Sequence, residues 1–288
     1  MKVLILISLL FFYSCTNNET QDLVEAKFCT ELFSDSSATE GVEIKGVAPH
    51  ASLWWHSIEF PLFITVKFLN GTDFQKSKVR QYAKEWEVNS NSDFDGKYKI
   101  RLRFIPYDGS TSGNRAQIRV VFRPGGSSSY IGSDALRIHP DSPTVYFGWI
   151  NEGQSEAAIR QVVLHEFGHV LGLVHEHQSP TANIPWDKDK VYDYYARTQT
   201  PPWDRSKVDY NIFRRYEASA TNYTAYDSNS IMHYAIPNSL TVGDYEVQWK
   251  TELSTIDKEF IKKIYKYQPC ILNETCCFDR RGRRIPCP

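Results

Sequence analysis

The sequence predicts an α+β fold, and three observations carry that reading. Alternating apolar strands crowd the first half, two amphipathic helices interrupt them, and the second half is loop-rich and closes on a further helix. Phe63-Ile64-Thr65-Val66-Lys67-Phe68-Leu69 reads as the first strand, ended by the turn residues Asn70-Gly71. Lys76 to Val88 carries Val79, Tyr82, Ala83 and Trp86 at helical spacing. Tyr98, Ile100, Leu102 and Phe104 alternate with Lys99, Arg101 and Arg103, the pattern of a half-buried strand. Ala116 to Phe122 is another strand, stopped by Pro124-Gly125-Gly126, and Thr144 to Ile150 is a short aromatic one. Ser155 then caps a helix bearing Ile159, Val162, Val163 and Phe167, which stops near Gly172. Short helices are expected at Lys188 to Arg197 and Arg205 to Tyr216, separated by Pro201-Pro202. Ser254-Thr255-Ile256-Asp257 resembles a capping box opening a last helix with Ile256, Phe260, Ile261 and Ile264 on one face.

The 288 residues give room for one large domain with short appendages. A 41% hydrophobic share with 14% aromatics builds a real core and excludes wholesale disorder. The 33 basic and 34 acidic residues cancel, so no long-range field draws the chain to nucleic acid or to an anionic membrane. The one long apolar run lies in the first dozen residues, behind Met1-Lys2, and reads as a secretory signal over 1–15. It ends Ser14-Cys15, a small residue before cysteine, as at a bacterial lipoprotein cleavage site. Two readings stay open: a lipid anchor on Cys15, or an ordinary signal cut nearby. Either way the protein is expected outside the cytoplasm, secreted or anchored at a bacterial cell surface or outer membrane.

Residues 16–48 are polar and aperiodic, a tether or pro-segment. A catalytic domain is expected over 49–268, and a cysteine-rich tail over 269–288. The tail holds Cys270, Cys276, Cys277 and Cys287, enough for two disulfides whose pairing the sequence does not fix. Between them Arg280-Arg281-Gly282-Arg283-Arg284 reads as a solvated hairpin tip, with a basic loop for glycans or lipopolysaccharide as the alternative.

The chemistry lies in His165-Glu166-Phe167-Gly168-His169. Two histidines four apart project from one face of the helix, so both imidazoles can bind one metal ion, and Glu166 beside them can reach an activated water. Gly172 lets the chain leave the helix, and His175 follows three residues on. Three neutral imidazoles leave one coordination position open, the arrangement of a catalytic zinc rather than a structural one. Further on stands Ser230-Ile231-Met232-His233-Tyr234, which contains the one methionine besides the initiator.

Together, these two motifs resemble those of the metzincin zinc peptidases, closest to the astacin-like branch, across roughly residues 50–268. The resemblance implies a zincin fold: a mixed twisted sheet with two long helices, an active-site cleft, and a loop-rich C-terminal subdomain holding a Met-turn and a last helix. It also implies His165, His169 and His175 as ligands of one zinc ion and Glu166 as general base and acid. Met232 would lie beneath the site, and Tyr234 would be a switchable further ligand that stabilises the oxyanion. After His175-Glu176 the chain reads His177-Gln178-Ser179-Pro180, where animal astacins carry an arginine-containing continuation, and Leu173 replaces their usual phenylalanine. The sequence is therefore more similar to a bacterial and fungal astacin-like or matrixin-like group. In animal astacins the counterpart of Glu176 meets the N-terminus made by activation; here a structural hydrogen bond is the alternative. His177 beside the ligands is read as packing nearby or lying at the surface, since three histidines suffice.

The expected activity is a zinc endopeptidase, likened to relatives that act on proteins and peptides, and the chain is expected to be a monomer. A catalytically silent binding protein of the same fold, and a zinc hydrolase for a non-peptide amide, are the alternatives. Extended substrate is expected beside Ser128-Ser129-Tyr130-Ile131-Gly132 as an edge strand. Ala235-Ile236-Pro237 would either wall a specificity pocket or pack in the core. Cys29 would supply a thiolate to cap the zinc until the pro-segment is cut. Asp35 is a rival carboxylate for that task, and a third reading leaves neither in it. Calcium cannot be read: Asp187, Asp189, Asp193 and Asp204 are equally solvated loop residues.

Overall fold

The computed structural model describes residues 30–32, 52–55, 62–89, 100–106, 116–220, 222–265, 277–278 and 284–285. The signal with Cys15, the capping candidates Cys29 and Asp35, and Cys270, Cys276, Cys287 and Arg280-Arg281-Gly282-Arg283 lie outside the described residues.

Alternation in the strand sequences sets the sheet's two faces. In β2 (Leu62–Phe68) Leu62, Ile64, Val66 and Phe68 are buried, while Phe63 points out. In β3 (Ile100–Phe104) Ile100 and Leu102 are buried between arginines. With β4 (Ile118–Phe122), β5 (Ser128–Tyr130) and β6 (Val145–Phe147), the sheet runs β5-β6-β4-β2-β3. All pairings among these are parallel except β5 with β6, so the sheet is mixed. A sixth strand, β1 (Thr30–Leu32), runs parallel along the outer side of β5, and the Ile131 N–H donates to the Leu32 carbonyl at 3.3 Å. The segment expected as a polar tether thus contributes a short strand, and β5, expected as an edge strand, is covered on that side by β1.

Helix α1 (Asp73–Ala83) starts at Thr72, whose side chain and that of Gln75 form a reciprocal capping box. The single helix expected over 76–88 is two: Lys84 breaks it, and α2 (Glu85–Asn89) follows. Helix α3 (Glu156–Val170), capped by Ser155, is buried along its last ten residues, from Gln161 to Val170. An all-round buried helix belongs at the centre of a domain. Here α3 packs between the sheet, α1 and the second half, with Leu164, Phe167 and Val170 fully enclosed. Its exposed-carbonyl problem at the C-terminus is met by long-range donors: Trp54 Nε1 to the Val170 carbonyl (2.7 Å) and Tyr265 Oη to that of Leu171 (2.8 Å).

The second half carries α4 (Lys188–Thr198), α5 (Arg205–Val208) and α6 (Thr255–Ile264). The helix expected over 205–216 changes character at Asp209, where a π-helical turn (Asp209–Phe213) closes with Arg214 N donating to the Asp209 carbonyl at 2.7 Å. A second cluster of Val191, Tyr195, Trp203, Val208, Ile212, Tyr234 and Leu240 anchors this half. In the tail, β7 (Cys277–Phe278) and β8 (Arg284–Ile285) pair antiparallel. No helix among the described residues is long and apolar enough to cross a membrane.

Candidate metal centre

Gly172 determines how the third histidine returns to the first two. Its φ of +88° is a conformation that favours glycine. There the Leu173 N–H donates to the Gly168 carbonyl (3.0 Å) and the Gly172 N–H to that of His169 (2.8 Å), a Schellman termination of α3. The reversal brings His175 to His165 and His169. Ring centroids lie 4.8 Å apart for His165–His169 and His169–His175, and 5.2 Å for His165–His175.

All three rings are buried, and their ligand atoms lie within 4.8 Å of one another, so the histidines are positioned to bind a metal ion. His165 Nδ1 lies 2.8 Å from the Ile231 carbonyl, and His169 Nδ1 lies 2.8 Å from that of Leu173. A carbonyl only accepts, so both Nδ1 atoms carry the proton and each Nε2 presents a lone pair, the tautomer a metal requires. Burial, with His165 and His233 nearby, pushes the His175 pKa well below the ordinary range and keeps that ring neutral. Tetrahedral nitrogens at zinc distances stand about 3.3 Å apart. Three buried, neutral imidazoles converging on one point are a donor set that fits zinc.

Glu166 follows His165 on α3 with both carboxylate oxygens buried. Tyr234 is 8% exposed, its ring 4.3 Å from that of His175 and 6.4 Å from that of His165. Met232 is buried and packs against Gly168 of α3. A Cβ on Gly168 would come 2.2 Å from its sulfur, so the glycine between the motif's histidines is what admits Met232. Glu176 makes the structural hydrogen bond weighed for it: its Oε1 accepts from Asp227 N at 2.9 Å. Burial, then the charges of Asp257 and Asp227, raise its pKa to about 8.

Asp257 is a member of the site that sequence reasoning missed. One carboxylate oxygen accepts from Ser230 Oγ (2.6 Å), and the other accepts from Ile231 N (2.8 Å) and from Ser254 N (2.9 Å). The residue that closes the capping box of α6 thus also grips the turn whose Ile231 carbonyl orients His165. The capping pattern was visible, but its long-range partner was not. His177 is buried rather than at the surface. Ile236 is buried and bridged to Val247 by two backbone bonds (2.8 and 2.9 Å), so it packs in the core, while Pro237 is exposed. Asp187 and Asp204 cap α4 and α5, and Asp193 pairs with Arg197 at 2.7 Å.

A family profile described as Astacin, a peptidase family, matches residues 102–266, more than half of the chain. Zinc metalloproteinase nas-2 of Caenorhabditis elegans is 28% identical over 210 residues, 67% of this chain; the chain spans 58% of that relative's length. A solved structure of myroilysin superposes with a TM-score of 0.67 at 39% identity, covering 77% of this chain and 98% of that one. A second myroilysin crystal structure gives 0.55 at 38% identity, covering 83% and 91%. The α+β sheet, the central α3 and the histidine cluster are accordingly those of a metzincin, and the chain belongs to the astacin family of peptidases.

Proposed function

We propose that this protein is an exported zinc endopeptidase made as a latent precursor. The observation that carries the reading is the convergence of the three buried imidazoles, two from α3 and one from the turn after Gly172, with Glu166 on the same helix. Bound zinc lowers the pKa of water and polarises a carbonyl. Glu166 takes the proton from the attacking water and later gives it to the leaving amine. The Tyr234 hydroxyl donates to the oxyanion that develops as the carbonyl becomes tetrahedral. Asp257 and Ile231 hold His165 in its ligand tautomer.

An extended peptide docks along β5, using the strand's outer backbone groups. β1 pairs along that edge over Thr30–Leu32, which supports latency: a strand of this chain takes the backbone groups a substrate would use. Cys29 then caps the zinc, with Asp35 as the rival cap, until the pro-segment is cut. A lipid on Cys15 would hold the precursor at the membrane, and cleavage within 16–48 would release a monomeric enzyme.

The test is to incubate residues 16–288, and separately 49–288, with zinc and a proteome-derived peptide library, and to read new termini by mass spectrometry. Greater activity in 49–288 supports the zymogen, and Cys29→Ala should lift latency in the longer chain. Equal activity in all forms would remove the latency reading. Silence throughout, with zinc bound, would favour a binding protein of the same fold.

A further inference from the structure

We propose that His177 is a positioning residue for Tyr234: its imidazole forms one wall of the slot that fixes the phenol ring, and it is itself tethered to the π-helical turn of the second half. This rests on the reading of Tyr234 as the oxyanion donor.

The His177 ring is 2% exposed and stacks on Tyr234 with centroids 4.5 Å apart and planes at 27°. His175 flanks the same phenol at 4.3 Å and 54°, so the ring stands between a metal-ligand candidate and His177. His177 Nε2 lies 2.9 Å from the Asn211 carbonyl and must carry a proton there. That is the reverse of His165 and His169, whose protons sit on Nδ1. The nitrogen that would reach a metal in those rings is, in His177, committed to the protein.

The next residue, Gln178, reinforces the tether with two bonds. Gln178 Nε2 donates to the Tyr210 carbonyl at 2.9 Å, and Tyr216 N donates to the Gln178 carbonyl at 2.9 Å. With the His177–Asn211 bond they tie the turn after His175 to the π-helical turn and to Tyr216 just beyond it. The Tyr234 backbone is fixed separately: its carbonyl lies 2.6 Å from His233 Nδ1, and His233 Nε2 meets the Tyr226 hydroxyl at 2.7 Å. With the backbone held, His175 and His177 flank the phenol and limit the arc its ring can sweep. A switchable donor confined to that arc has fewer unproductive positions when charge develops. Loss of the wall therefore lowers turnover more than substrate binding.

The experiment uses the full exported chain, activated, with zinc per chain measured for each variant. Tyr234→Phe should lower kcat roughly a hundredfold. His177→Ala should lower kcat about tenfold, with KM within about twofold and zinc content unchanged. In the Tyr234→Phe background the same change should cost less than about twofold, because the group it positions is gone. His177→Phe, which keeps the stacked ring, should recover most of the loss, and His177→Gln, which keeps only the donor, should not. A readout apart from turnover is 19F relaxation of 3-fluorotyrosine at position 234: fast ring motion should rise in His177→Ala and stay near wild type in His177→Phe. An undiminished loss in the Tyr234→Phe background, or unchanged 19F relaxation in His177→Ala, overturns the proposal. If Tyr234→Phe leaves kcat intact, the oxyanion reading fails instead, while the 19F result still decides whether His177 holds the ring.

Discussion

Replacing Asp257 tests whether the last helix supports the metal site. Its carboxylate serves three donors at 2.6, 2.8 and 2.9 Å. Asp257→Ala strips the acceptor from Ser230 Oγ and Ile231 N, both in buried residues, and from the half-buried cap at Ser254. Two orphaned buried donors cost about 1–3 kcal/mol each, and the weakened cap about 1 kcal/mol. Against this stands relief of the carboxylate's own desolvation, which raises its pKa. The net destabilisation should be about 3 kcal/mol. Asp257→Asn can keep its oxygen on the two backbone donors and turn its amide to Ser230 Oγ, which then accepts, so it should cost about 1 kcal/mol. The Ile231 carbonyl orients His165, so Asp257→Ala should also weaken zinc binding about 10–100-fold. Urea unfolding and chelator competition read the two effects. An alanine variant within 1 kcal/mol and twofold of wild type would refute the chain from α6 to the metal, as would an asparagine variant as damaged as alanine.

Gly172→Ala forces a side chain into φ +88° with its Cβ 3.0 Å from Leu53. It should cost about 1–2 kcal/mol by thermal unfolding and displace His175, weakening zinc binding. Gly168→Ala gains about 1 kcal/mol of helix propensity but drives its Cβ into the Met232 sulfur. The net should be a loss of about 1 kcal/mol, and a gain in stability would show that Met232 yields freely. In metal-free protein, burial holds the His233 pKa near 4. Below pH 6.5 the unfolded chain binds a proton the native one refuses, so stability should fall by about 3 kcal/mol from pH 6.5 to 4, and His233→Gln should flatten that limb. Glu176 works in the opposite sense. With its pKa near 8, the native state keeps a proton that the unfolded state loses from about pH 4.5, so stability should fall as pH rises between those values, less so in Glu176→Gln.

What was legible in the sequence is what local pattern encodes. Strand β3 shows in its alternation, β2 and β4 as apolar runs stopped by Asn70-Gly71 and Pro124-Gly125-Gly126, α3 in its Ser155 cap and apolar spacing, and the ligand set in the four-residue histidine step. The same reading missed features set by distant contacts. Asp257 reaches back 26 residues to Ile231, so its capping role could be read and its hold on the turn at Ser230-Ile231 could not. For His177 the sequence leaves packing nearby and surface both open, and it is the Asn211 carbonyl, 34 residues away in the chain, that goes with the buried place. The break at Lys84 and the π-helical turn at Asp209 carry no proline or glycine to announce them. β1 is too short for its three residues to show a period, and its place on β5 comes from the open edge it covers.

The measurement nearest the central claim compares wild type with Glu166→Ala, both carrying residues 49–288 and loaded with zinc, on the peptide library. Wild type should cleave, the variant should not, and each should carry one zinc per chain. Equal zinc with cleavage in neither, or cleavage in both, would contradict that claim.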